Sequence, residues 1–320
     1  MSSPLVTIGL PVYNSEEFVE RAIISALTQT FSDFELIISD NASTDSTGEI
    51  CRRLANGDAR IRYSRQERNV GVARNFAATV SASSGRYFKW LASDDLMAPA
   101  FLERCLPALE SEPRVVISTA HMPYLDTEWG TLIPHDGKVT SSYGEVMPWI
   151  NTPAEIFSPR PSDRFRVVLN EAVGNLFTEL YYGLVRGNVM RLIKPVGYHI
   201  GAEKAFLLRL VLMGEVRYAP DDLLLRGMHP GHFGGRSRAG MIGGLNPDRR
   251  LPMALSGLDQ VSGYVRAAVS GKVPMRDKLA NLGALVERAT RKATLGRLLV
   301  PGPENYFGWG GRKSSSAAKR

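Results

Sequence analysis

The first 120 residues predict an α/β fold, a mostly parallel sheet with helices on both faces. Short apolar runs alternate there with helical patterns, as in strands joined by crossover helices. The runs are apolar almost throughout, as expected of strands covered on both sides. At 320 residues, with 44% hydrophobic and 22% charged side chains, the chain has ample core for one large domain or two smaller ones.

"LVTIGL" (5–10) reads as the first buried strand. In the helix after it, "SEEFVERAIISALTQ" (15–29), Ser15 is the expected N-cap, and Phe18, Ala22, Ile23, Ala26 and Leu27 share one face. "FELIIS" (34–39) is the second strand and "STDSTGEICRRLA" (43–55) the second helix. "RIRYSR" is a short third strand, "VGVARNFAATVSA" a third helix and "GRYFKWLAS" a fourth strand. "PAFLERCLPALE" and "RVVIST" complete a fourth helix and a fifth strand.

From about 120 to 175 the periodicity loosens, which fits a long insertion over a cleft or irregular packing. "ELYYGLVRG" (179–187) has strand character, and "AEKAFLLRLVLMG" (202–214) is a helix ended by Gly214. Beyond the glycine-rich "HPGHFGGRSRAGMIGG", residues 248–299 read as two helices, the second basic and amphipathic. The last twenty residues have a disordered composition.

The net charge of +7 is unevenly spread. Residues 1–225 carry 22 Lys/Arg against 27 Asp/Glu, and residues 226–320 carry 17 against 5. The basic C-terminal third suits an anionic surface or acidic partner, or simply a solvated helical face. It lacks the aromatic interleaving of single-strand binders, so nucleic acid is not expected. No run approaches a membrane span, and the N-terminus lacks a basic signal region. Cys51 and Cys105 fall in separate helices, as buried free thiols of a cytoplasmic protein would.

Ligands of open parallel sheets bind beyond the carboxyl ends of the strands. That edge gathers Pro11, Tyr13 and Asn14 after strand one, Asp40 and Asn41 after strand two, and Asp94 and Asp95 after strand four. An aromatic ring, an isolated acid and an acid pair suit a nucleoside diphosphate with Mg2+ or Mn2+. Tyr13 and Pro11 are placed to face a base, and Asp40 to accept from a base N–H. The neighbouring carboxylates of Asp94 and Asp95 repel unless a cation joins them. A P-loop, a GxGxxG fingerprint and a nucleotidyltransferase-type glycine-rich start are all missing.

"VTIGLPVYNSEEFVERAIISALTQTFSDFELIISDNASTDST" followed by "RNVGVARNFAATVSASSGRYFKWLASDDL" closely resembles family-2 glycosyltransferases of the GT-A fold. The resemblance is strong over about residues 5–112. It implies a nucleobase site at Pro11, Tyr13 and Asp40, and contact between Arg74 and the nucleotide. It also implies that "SDD" replaces the DXD motif, with Asp94 on ribose or metal and Asp95 on a divalent cation.

The stretch "YYGLVRGNVMRLIKPVGYHIGAEKAFLLRLVLMGEVRYAPDDLLLRGMHPG" is similar, more weakly, to the acceptor half of one bacterial branch. There Glu203 takes the place of the general base, with Lys204 where many relatives carry Asp or Arg. An acid in a first helical turn also serves helix stability alone. His229, in "RGMHPG", is a candidate for the metal or the diphosphate, or for neither. Trp90, Trp149, Tyr181, Tyr182 and Tyr198 suit sugar stacking or, more commonly, core packing.

The resemblance implies a nucleotide-binding half (1–119), an acceptor half (120–235), a helical extension (236–299) and a disordered tail (300–320). The activity it implies is metal-assisted, inverting sugar transfer from a nucleotide-diphosphate sugar to an acceptor hydroxyl, in polysaccharide or glycoconjugate synthesis. The alternatives are an inactive nucleotide-sugar-binding homologue, or an adaptor acting through the basic C-terminal region. A cytoplasmic location, peripheral contact with the inner face of the plasma membrane and a homodimer are compatible with this reading.

Overall fold

The computed structural model describes residues 3–126, 131–132, 139–140, 146–147, 152–170, 175–193, 201–228, 253–271 and 273–291. Strands β1 (Val6–Val12), β2 (Phe34–Asp40), β3 (Ile61–Arg65) and β4 (Tyr87–Trp90) alternate with helices α1 (Val19–Leu27), α2 (Thr47–Gly57) and α3 (Val72–Ala82). A two-residue strand β5 (Leu96–Met97), helix α4 (Phe101–Ser111) and β6 (Val115–His121) follow. Then come short strands β7 (Tyr124–Asp126), β8 (Thr131–Leu132), β9 (Val139–Thr140) and β10 (Val146–Met147) and a 3₁₀ turn at Ala154–Phe157. Helices α5 (Pro161–Asn170) and α6 (Asn175–Tyr181), strand β11 (Leu184–Arg186), and helices α7 (Gly187–Ile193) and α8 (Ala202–Leu210) lead to strands β12 (Glu215–Asp222) and β13 (Leu224–Met228). Helices α9 (Met253–Ala268) and α10 (Met275–Arg291) close the described chain.

Seven strands form one sheet in the order β12-β6-β11-β4-β1-β2-β3. β1 pairs in parallel with β2 and β4, β2 with β3, and β6 with β12. β11 runs antiparallel to both β4 and β6. The carboxyl ends of the six parallel strands therefore share one edge. A second sheet, β5-β13-β7-β8, lies beyond it.

Every residue of β1 and β2 is buried, which explains their unbroken apolar runs. Alternation splits the core in two. Leu10, Leu36 and Tyr87 pack with α1, α2 and α4, while Phe88 and Trp90 pack with α5 to α9 on the opposite face. Trp90 is a core residue, stacked on Tyr181 at 4.9 Å. Cys51 and Cys105 are free and buried, as expected, and burial pushes each thiol up to about 12.

Two sequence expectations change. Ser15 does not cap α1: the helix begins at Val19, and the Ser15 carbonyl accepts from the N–H groups of Phe18 and Val19 in the preceding turn. Residues 179–181 of the expected strand 179–187 are the last turn of α6, and only Leu184–Arg186 pair in the sheet. Leu180 packs in the same core as Val185, so burial alone did not separate helix from strand.

Helix α9 exposes Leu258 and Val265, with Val269 exposed just after its end, and α10 exposes Met275, Leu279 and Val286. Among the described residues no helix is long and apolar enough to cross a membrane. Trp149, Tyr198, His229 and the tail 300–320 lie outside the described residues.

Candidate active site

The carboxyl edge is built by loops that lock one another. After β1, Tyr13 is 41% exposed and Asn14 takes a left-handed φ of 46°. Asn14 donates its backbone N–H to Ser43 Oγ at 3.1 Å and accepts the Thr44 N–H at 2.8 Å. Ser15 Oγ meets Ser93 Oγ at 2.8 Å, tying this loop to the acid pair's turn. Pro11 is buried within β1.

Asp40 ends β2 with no exposed surface. One carboxylate oxygen accepts the Ser43 N–H at 2.8 Å, the other the Tyr63 hydroxyl at 2.8 Å, with Arg65 Nε at 3.5 Å. Expected to meet a base directly, Asp40 here spends its acceptors inside the protein and shapes the loop. Its neighbour Asn41, also buried, accepts the Val70 N–H at 2.8 Å and donates to Asn69 at 3.0 Å. These bonds hold the segment before α3, whose N-cap Gly71 has a φ of 88° that side chains rarely adopt. Arg74 sits half-buried in the first turn of α3.

Asn75, missed in the sequence, is the tie beneath this edge. Buried in α3, it donates to the Val12 carbonyl at 3.2 Å and the Ser39 carbonyl at 2.9 Å, and accepts from Ser39 Oγ at 2.7 Å. The ends of β1 and β2 are thereby joined. A polar residue among the apolar positions of "NFAATV" was the available signal.

The acid turn leaves β4 after Trp90. Asp94 is half-buried, whereas Asp95 is 5% exposed and accepts the Gly227 N–H at 3.0 Å. Burial first, then the charge of Asp94, raises the Asp95 carboxyl well above the ordinary range, against the opposing pull of Arg226, the Gly227 N–H and Lys89. Below this turn Lys89 is buried, with no hydrogen-bond partner for Nζ among the described residues. Its ammonium lies 4.4 Å from the Phe101 ring centroid, and burial pulls it down to about 7. A lysine inside the apolar "YFKW" was legible as unusual.

Glu203 stands half-buried in the first turn of α8. Its charge is felt by Tyr181, the ring stacked on Trp90, and by Tyr264 of α9. The preceding Gly201 has a φ of 89°, and a Cβ there would lie 2.4 Å from Gln260 Nε2. Glycine thus permits both the helix start and the close approach of α9.

Among the described residues no three His, Cys, Asp or Glu side chains gather as a metal cage. The acid pair nevertheless suits a hard cation. Burial and the charge of Asp94 disfavour a bare carboxylate at Asp95, and a cation placed there would offset both. A divalent ion that takes one or two carboxylates and completes its shell with phosphate oxygens and water fits that supply.

A mostly parallel sheet with one reversed strand, and an acid pair at its carboxyl edge, defines a GT-A fold. Residues 7–163 match the model of Glycosyl transferase family 2. A chondroitin synthase of Pasteurella multocida is 39% identical over 103 residues, 32% of this chain and 11% of that protein. The uncharacterized glycosyltransferase EpsJ of Bacillus subtilis is 39% identical over 101 residues, 32% of this chain and 29% of its own length. The matches therefore span only a fraction of these relatives.

Among solved structures, S. aureus TarS 1–349 in complex with UDP-GlcNAc superposes with a TM-score of 0.62 at 15% identity, covering 91% of this chain and 77% of that one. The mannosyltransferase PcManGT of Pyrobaculum calidifontis, in complex with GDP-Man and Mn2+, gives 0.52 at 15% identity, covering 92% and 77%.

Proposed function

We propose that the chain is an inverting glycosyltransferase that moves a sugar from a nucleoside diphosphate sugar to an acceptor hydroxyl. Residues 1–119 are its donor half, 120–235 its acceptor half and 236–299 a helical extension. The observation that carries this reading is the acid pair Asp94–Asp95 at the carboxyl edge of a family-2 sheet. The nucleotide sugars in the TarS and PcManGT complexes support the donor class.

Tyr13 offers an exposed ring to the base, and the adjoining Pro11 and Asn14 set its position. Asp40 acts through the loop it holds. Arg74 brings positive charge to the diphosphate, where stabilising the departing anion lowers the barrier. A divalent cation, Mn2+ or Mg2+, held by Asp94 and Asp95 with His229 as a further ligand, would when bound offset the same charge. Glu203 takes the proton from the acceptor hydroxyl while that oxygen bonds to the anomeric carbon. The bond from that carbon to the diphosphate oxygen breaks in the same step, and a single displacement inverts the centre.

The enzyme works in the cytoplasm on this reading, with the apolar face of α9 and α10 against an anionic membrane surface. The test is a panel of nucleotide sugars with Mn2+, monitored for release of nucleoside diphosphate. Metal-dependent release from one donor is expected, and no release from any donor would overturn the proposal.

A further inference from the structure

A second polar cluster stands at the same edge, outside every residue assigned above. Val185 of β11 pairs with Phe88 on β4 and with Ile117 on β6, so those two residues are level. β4 ends at Trp90, two residues past Phe88 and before the acid turn, while β6 runs on to His121, four residues past Ile117. Two strand spacings, about 10 Å, separate the two lines of residues. His121 thus stands at the same edge as the acid turn, two strands away toward β12.

Its ring is held from beneath. The Glu179 carboxylate, 1% exposed, lies 3.4 Å from His121 Nδ1 and accepts the Met122 N–H at 3.1 Å and the Tyr218 hydroxyl at 2.8 Å. The Glu179 carbonyl accepts the Thr119 hydroxyl at 2.6 Å. A buried acid fastened this way fixes the orientation of an imidazole. The bond to Glu179 also raises the imidazole's affinity for its proton.

An aromatic wall adjoins it. The Tyr218 ring lies 5.3 Å from the His121 ring, and Phe157 packs edge-on to Tyr218 at 5.6 Å with 37% of its surface exposed. The turn carrying Phe157 is anchored by the buried Arg164, which donates to the carbonyls of Ser158 and Val211. Arg226 connects the cluster to the acid pair: it donates to Thr178, beside Glu179, at 3.1 Å, and its charge favours the Asp95 carboxylate.

We propose that Phe157, Tyr218 and His121 form the acceptor subsite and that the acceptor is a saccharide, whose C–H face lies on the exposed Phe157 ring, which Tyr218 supports edge-on, while His121 hydrogen-bonds one of its hydroxyls. An aromatic face beside one oriented polar group matches a pyranose ring, which has an apolar face and a polar rim. The inference rests on the glycosyltransferase reading and narrows its acceptor class.

The test uses methyl glycosides of common hexoses and N-acetylhexosamines as probes, with saturation-transfer NMR as the direct readout. Saturation should pass to the ring C–H protons of at least one glycoside in the wild-type protein and be lost in Phe157→Ala. In turnover with the active donor, Phe157→Ala and His121→Ala should raise the KM for that glycoside about tenfold or more. Phe157→Tyr, which keeps the ring, and His121→Gln, which keeps a hydrogen-bonding end, should recover part of the loss, separating recognition from misfolding.

Absence of saturation transfer to every glycoside, or an unchanged KM in both alanine variants, would overturn the subsite. Stimulation of donor turnover only by non-sugar alcohols would overturn the saccharide class. Glycoside binding without turnover of any donor would instead count against the transferase reading and leave the subsite standing.

Discussion

At the scale of single residues, Asp95 and Lys89 are ionisable groups whose charged forms the fold buries at a cost. Asp95→Ala is expected to abolish the gain in donor affinity that Mn2+ brings; an unchanged Mn2+ dependence in calorimetry would remove Asp95 from the metal site. Lys89 gives a pH prediction. Its folded value of about 7 lies below its ordinary 10.5, so below pH 7 both folded and unfolded chains carry the proton and the burial penalty is complete. As pH rises from 7 to 10.5 the folded lysine is neutral while the unfolded one is still charged, and the penalty falls. Lys89→Met should therefore raise the melting temperature by several degrees at pH 6 to 7, and by less at pH 9 to 10. A melting temperature that drops equally at every pH would show that the ammonium is needed where it lies. Glu203→Gln keeps the side chain's shape and removes its basicity, so kcat should fall about 10²- to 10⁴-fold while calorimetry shows unchanged donor affinity. A wild-type kcat would remove Glu203 from the mechanism.

At the scale of elements, the site depends on how strand ends are tied. Asn75 makes three buried hydrogen bonds across β1, β2 and α3. Asn75→Ala takes one donor each from the Val12 and Ser39 carbonyls and the acceptor from the Ser39 hydroxyl. The Val12 carbonyl keeps the Asn41 N–H, and the change should cost about 1 to 3 kcal/mol, read as a lower urea midpoint. A midpoint equal to wild type would mean that the strand ends hold without it. The strands themselves were legible because β1 and β2 are buried on both faces, which leaves an apolar run with no competing pattern. Their carboxyl ends then followed from topology, and with them Tyr13, Asp40, Asp94 and Asp95. The burial of Asp40 was not legible, since its satisfying groups come from Ser43, Tyr63 and Arg65 through the folded loop. Nor was the His121–Glu179 pair, whose members are 58 residues apart on β6 and α6. No local spacing records such a contact. The α6 boundary failed for a related reason: residues 179–187 are apolar whether they coil or extend, and only pairing of Leu184–Arg186 with both neighbours decides.

At the scale of the whole molecule, chemistry and charge occupy different ends. The sheet edge carries carboxylates, whereas residues 226–320 hold 17 Lys/Arg against 5 Asp/Glu. Within that basic third, α9 and α10 turn their inner positions, such as Tyr264, Ala267 and Ala284, into the core. Outward they present Leu258 and Val265, continued by Val269 just past α9, and, on α10, Met275, Leu279 and Val286. Arg276, with 82% of its side chain exposed, stands at the same end of α10 as Met275. On the membrane reading proposed above, an anionic bilayer takes up these apolar side chains while the basic residues of this third face its headgroups. The protein is therefore expected to co-sediment with vesicles containing phosphatidylglycerol and not with pure phosphatidylcholine, and to be released by salt because the attraction is screened. Leu279→Glu with Val286→Glu changes only solvent-facing positions, so it should abolish co-sedimentation while the circular dichroism spectrum stays unchanged. Equal sedimentation of this double variant would show that the hairpin is not the contact. Concentration-dependent dimerisation that the double variant abolishes, without vesicle binding, would assign the face to a second copy instead.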